Sequence, residues 1–341
     1  MRTIRLLALF SFNLLILNVN VSSVFAKAPV TPKILFTSAR DGNREVYIMN
    51  PDGSEQMRLT HHPENDMNAV WSPTGEQILF VSNRDGKRDL YLMNPDGFNI
   101  RRVFKNELKR TFTYRDYPTW SPDGKQIAYM HINWDKDIYA IHIANSGEQE
   151  GNFLANGLHP AWSPDGAEIA CATFAGPLTL INVRTGGQKQ ILPRKEVGGQ
   201  MSPSWSALGD KLTFSWNNNR LPPDFKPGED KLPEGWTDKR TIYISNRDGT
   251  GLEQLIDEAG PEAEYPELSP NGKEILYTQE IKGSLQIFKL DISSGVRTQL
   301  THIGGIFQAN SGGDWFDPAY ALPVSPQPQL LTTIWGELKR E

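Results

Sequence analysis

Cysteine is almost missing from this chain of 341 residues, and Cys171 alone cannot form an intramolecular disulfide. Stability must therefore come from packing and hydrogen bonds, and Cys171, set in the apolar run AEIACATF, reads as a small buried hydrophobe. Positive charge is not in excess either. With 35 Lys and Arg against 40 Asp and Glu, the net charge is −5, which argues against the basic face a nucleic-acid surface needs. No G-x-S-x-G elbow, H-E-x-x-H helix or phosphate-binding glycine loop occurs. His61 and His62 are adjacent and His131, His142 and His159 are widely spaced along the chain, so no metal-binding spacing with a third ligand emerges. Neither metal nor cofactor is expected. Long apolar runs are also scarce: Leu6 to Leu17 is broken by Asn13, is followed by Asn18 and Asn20, and falls short of the roughly 20 residues of a membrane span. Arg2 and Arg5 precede this stretch, and Val24 and Ala26 sit at the −3 and −1 positions of a cleavage site. Residues 1–26 are thus read as a signal peptide, giving an exported chain with no stable membrane span after cleavage.

What the sequence does have is a repeat. WSPTGEQILF begins at Trp71, WSPDGKQIAY at Trp120, WSPDGAEIAC at Trp162, WSALGDKLTF at Trp205 and LSPNGKEILY at Leu268, and the degenerate DWFDP places Trp315 at the same point. The anchors are 49, 42, 43, 63 and 47 residues apart, the scale of a four-stranded propeller blade. Within the unit from Trp71 to Phe104, SPTG, NRDGK and NPDG supply three turns. They separate an apolar segment ending at Trp71 from strands expected at Gln77 to Ser82, Asp89 to Met93 and Ile100 to Phe104. Asp followed by Gly is hairpin chemistry, because the carboxylate caps backbone amides and glycine accepts positive φ. These turns lack the further ligands of a calcium loop.

Residues 33 to 60 match the last three strands of a repeat, whereas the copy at Trp315 has only the first. Joining the two ends completes a sixth blade and removes an open sheet edge. The fold expected is all-β: a six-bladed β-propeller closed by pairing of N- and C-terminal strands, spanning residues 27–317, with a Pro-rich tail over 318–341. A blade alone exposes two apolar faces, so the Trp and Ile, Leu or Phe positions are read as packing between blades.

The succession W-S-P-D-G-K-x-I, S-x-R-D-G and Y-x-M-N-x-D-G resembles the repeat of the TolB-like propeller family, over roughly residues 33–317. That resemblance implies a bacterial periplasmic setting, or secretion, and docking of other envelope proteins. Only about six residues separate the expected signal peptide from the first propeller strand, so the family's separate N-terminal domain is missing and a stand-alone propeller is expected.

Propellers bind at a face of the central channel, through loops leading into the innermost strands and loops joining second to third strands. The first set offers Asp66, Asn68, Asp116, Tyr117, His159, Met201, Glu264, Tyr265 and Asn310, whose acids would give a weakly anionic rim. The second includes the insertion from Asn217 to Arg240, which explains the spacing of 63 and carries Phe225 and Trp236 as candidate anchors. The function expected is a non-catalytic scaffold binding an envelope protein, a small ligand or a glycan. The alternative is a propeller polysaccharide lyase or glycosidase, with Asp66, Asp116 and Glu264 converging at the channel mouth.

Overall fold

The computed structural model describes residues 27–323, apart from 106–107, 109–111, 146, 174–176, 193–198, 220–221, 223, 227–229, 232, 235–239, 258–259 and 304–308. The expected signal peptide, Trp236 and the tail beyond residue 323 lie outside the described residues.

Six four-stranded antiparallel sheets succeed one another around the ring. Blade 1 takes its innermost strand, Asn310–Phe316, from the C-terminal part of the chain and its others, Lys33–Ser38, Glu45–Met49 and Met57–Arg58, from the N-terminal part. The two parts pair antiparallel, Ile34 with Trp315 and Thr37 with Ser311, which is the closure expected from the repeats. Trp71 pairs with Ile78 in the same way, so Trp315 is the true sixth anchor despite its degenerate surroundings. The innermost strands of blades 2 to 6 are Asp66–Trp71, Thr113–Trp120, Leu158–Trp162, Met201–Trp205 and Ala263–Leu268. Each touches the innermost strand of the next blade, and the last touches Asn310–Phe316.

The second and third strands of a blade are covered on both faces by neighbouring blades, which is why their sequences are runs of apolar residues with little alternation. In blade 2, Ile78–Ser82 and Asp89–Met93 are buried along their whole length. The outermost strand is shorter than its expected extent, Arg101–Arg102 in place of Ile100 to Phe104, because only one edge pairs there. Apolar clusters bridge adjacent blades: Leu35 and Val46 of blade 1 pack with Trp71, Ile78 and Tyr91 of blade 2. Trp71, Trp120, Trp162 and Trp205 are all buried, as their packing role requires. Cys171 is buried too, and burial pushes its thiol up to about 12, so it stays protonated.

The aspartates of the turns act on the backbone. Asp123 accepts from Ser121 Oγ at 2.7 Å and from the Lys125 amide at 3.1 Å, and Asp165 does the same for Ser163 and Ala167. Asp41 and Asp85, in the R-D-G turns, accept hydrogen bonds from Tyr47 and Tyr91. The insertion falls where the sequence places it, between Lys211–Trp216 and Thr241–Asn246 of blade 5. Phe225 there is half-buried, with its amide donating to the Pro222 carbonyl at 3.0 Å.

Candidate functional site

Most residues expected on loops at the front of the channel lie inside the innermost strands instead. Every one of these strands is interrupted by a register shift at the same point. There the backbone turns left-handed, at Asn68 (φ 52°), Tyr117 (46°), His159 (49°), Ser202 (51°), Tyr265 (53°) and Gly312 (65°). Left-handed backbone costs an L-residue about 1–2 kcal/mol, and in four of the blades a proline follows, which restricts the residue before it further. This bulge breaks strand alternation, so the segment looks like a loop in the sequence.

The bulge residues gather around the axis and line a small cavity of about 140 Å³. Blades 3 and 6 face each other in a ring of six, yet their Tyr117 and Tyr265 both reach the same cavity at the axis. His159 of blade 4 packs against both rings, with centroids 4.0 Å from Tyr117 and 6.3 Å from Tyr265, and its Nδ1 lies 2.9 Å from Ser202 Oγ. Burial, with a smaller contribution from the Arg240 cation, holds His159 down to about 4, so it is neutral at physiological pH. Burial likewise raises both tyrosines. The ring therefore offers uncharged donors, acceptors and aromatic faces.

The acidic candidates are held apart by their own partners. Asp66 is buried and takes Arg84 at 2.8 Å, and Asp116 is buried and takes Arg88 at 2.9 Å and Asn68 Nδ2 at 2.7 Å. Glu264 pairs with Arg240, which also holds Glu262 at 2.7 Å. Asn310 occupies in blade 1 the place of Asp66 in blade 2, accepting from Ser38 Oγ at 2.7 Å and Arg40 Nη2 at 3.1 Å. The Arg84 and Arg40 contacts anchor the S-x-R-D-G turns to the innermost strands. The weakly anionic rim expected from the sequence is thus compensated by arginine.

Two carboxyls absent from that expectation stand deeper in the channel. Glu267 of blade 6 and Asp314 of blade 1 occupy the position just before the anchor, where the other blades carry Val70, Thr119, Ala161 and Ser204. Asp314 accepts from the Trp71 amide at 2.5 Å, and in the neighbouring blade the Ser204 hydroxyl accepts from the Leu268 amide at 3.2 Å. Burial pushes Asp314 up to about 7 despite backbone donors, and burial together with the Asp314 charge raises Glu267 well above the ordinary carboxylate range. The Asp314 charge thus works against ionisation of Glu267. A repeat alignment carried one residue upstream of the Trp would have shown them.

The pair faces a larger chamber of about 580 Å³, on the side of the S-P-D-G turns. Its walls come from all six blades, and Tyr320, Ala321 and Leu322 border its mouth, where the Leu322 amide donates to the Pro73 carbonyl at 2.9 Å.

Comparison with known proteins bears on this arrangement. The family model described as the TolB beta propeller domain matches residues 18–116. The Tol-Pal system protein TolB of Geobacter sulfurreducens is 41% identical over 49 residues, covering 14% of this chain and 11% of that protein. Among solved structures, TolB from Acinetobacter baumannii has a TM-score of 0.66 at 14% identity, over 83% of this chain and 66% of that one. Hydrazine synthase of Kuenenia stuttgartiensis has 0.63 at 11% identity, over 89% and 49%. The chain thus spans less than two thirds of these relatives' lengths, and likeness at such identity concerns the fold. Repeat motifs and strand order together make this chain a six-bladed β-propeller, whose N-terminal part matches the TolB beta propeller domain.

Proposed function

We propose that the chain is an exported, non-catalytic scaffold that binds an envelope protein or a small ligand at a face of its central channel. The carrying observation is the ring of strained residues: five non-glycine side chains are held around the axis by left-handed backbone. Strain of this kind persists where surrounding structure enforces it, and it clusters at ligand clamps. The Geobacter relative is by name a component of a Tol-Pal system, which supports an envelope partner for this chain as well. Export rests on the N-terminal charge and hydropathy pattern.

The test is affinity capture from envelope extract with the full-length chain, beside Tyr117→Ala and His159→Gln. The scaffold reading expects a partner that wild type retains at least tenfold better than either variant, with circular dichroism unchanged. Equal retention by all three, or none by any, would overturn it. Deleting 221–236 should leave a folded ring with altered binding. Oligosaccharide turnover abolished by Glu267→Gln would favour the carbohydrate-active alternative.

A further inference from the structure

We propose that the cavity ringed by the six bulges binds one uncharged, polyhydroxylated six-membered ring, a neutral hexopyranose, seated over the notch that Gly312 leaves. This deepens the small-ligand arm of the proposed function and rests on it, since it names what that site would hold.

The notch belongs to blade 1. Five bulges carry a side chain, that of Asn68, Tyr117, His159, Ser202 or Tyr265, whereas the sixth is Gly312 with the same left-handed backbone. A Cβ added at Gly312 would meet nothing within 4 Å, so the space beside it is open. The five side chains therefore form a crescent with a gap, not a closed ring. The cavity they line measures about 140 Å³, near the roughly 150 Å³ that takes one benzene ring. A single six-membered ring is the size of ligand that fits.

The lining favours hydroxyl groups. Its polar side chains are the phenols of Tyr117 and Tyr265, the Ser202 hydroxyl, the His159 imidazole and the Asn68 carboxamide. His159 engages Ser202 Oγ through Nδ1 at 2.9 Å and keeps Nε2 as its second polar atom. Asn68 gives Nδ2 to Asp116 at 2.7 Å and keeps Oδ1 as an acceptor. A sugar hydroxyl both donates and accepts, so it matches a wall of phenols, hydroxyl, imidazole and amide oxygen. Pro118, Pro160, Pro203 and Pro266 follow four of the bulges and add apolar surface for the C–H groups of the ring.

Charge is selected against. No Asp, Lys or Arg is among the described residues that line the cavity, and burial drives its one carboxyl, Glu267, towards the neutral form. Close by, Asp116 is held by Arg88 and Glu264 by Arg240. A ligand with net charge would shed its water without meeting a counter-charge, which costs more than burying a hydroxyl that finds a partner.

The experiment titrates the full chain with the methyl α-pyranosides of glucose, galactose and mannose, beside those of glucuronate and glucosamine as charged analogues. Binding is read at the Gly313 amide resonance, next to the notch. At least one neutral glycoside should shift that resonance and bind at least tenfold more tightly than either charged sugar. Gly312→Asn fills the notch with a residue that tolerates left-handed backbone, so it should keep the circular dichroism spectrum and weaken binding at least tenfold. His159→Phe should weaken it as much, and Gly312→Asn decides if that variant does not fold. No shift with any neutral glycoside, tighter binding of a charged one, or unaltered binding by Gly312→Asn would overturn the inference. Sugar binding by a chain that captures no envelope protein would support it and refute only the protein arm of the proposed function. Capture of a protein by a chain that binds none of these sugars would do the reverse.

Discussion

At the scale of single residues, the channel carboxyls give the clearest consequence. Glu267 and Asp314 hold their proton more tightly in the folded chain than in the unfolded one. Their burden is therefore absent below the ordinary carboxylate range, near pH 4, and grows as pH rises towards about 7, where Asp314 ionises. Glu267→Gln should accordingly gain stability relative to wild type on going from about pH 4.5 to about pH 7.5, by about 1 kcal/mol or more. Urea unfolding at the two pH values measures this, and a constant difference would remove the pair from the account. The carboxyls went unread in the sequence because Val, Thr, Ala, Ser, Glu and Asp share that position, and no propensity marks it. His159 and Tyr117 were legible as candidates, but nothing in their side chains announces a positive φ. The arginines that neutralise Asp66, Asp116 and Glu264 were in view, yet these contacts depend on how the chain folds back on itself, which sequence spacing does not reveal.

At the scale of elements, the bulge and the tight approach between blades make separate claims. Gly312 has φ of 65°, and a Cβ added there would meet nothing within 4 Å. Gly312→Ala thus isolates the backbone cost, expected to be about 1–2 kcal/mol in chemical unfolding. A neutral result would mean that the innermost strand of blade 1 is not bulged like the others. Gly249 differs, because a Cβ there would fall 1.8 Å from the Ile191 carbonyl oxygen of the preceding blade. Gly249→Ala must push blades 4 and 5 apart, so it should cost more than Gly312→Ala, by about 1 kcal/mol or more. Turns were the most legible elements, since Pro, Asp and Gly at fixed offsets leave few conformations. The starts of the innermost strands were the least legible, because a bulge followed by proline erases the period of two.

At the scale of the whole molecule, the blades are stable because each covers its neighbours, and the ring is complete only when both chain ends meet. Six anchors, the orphan strands over residues 33–60 and the lone strand at Trp315 made that closure readable without a structure. Truncation of the chain before Asn310 should leave Lys33–Ser38 with an uncovered edge and blade 1 without its innermost strand. The most direct test places cysteines at Thr37 and Ser311, which face each other across the closing pair, in a Cys171→Ala background. Oxidation should yield an intrachain disulfide in the monomer and raise the urea midpoint, because the bond spans nearly the entire ring and removes up to about 5–6 kcal/mol of unfolded-chain entropy. Thiols that stay free, or that link separate chains into dimers, would contradict a propeller closed by its two ends.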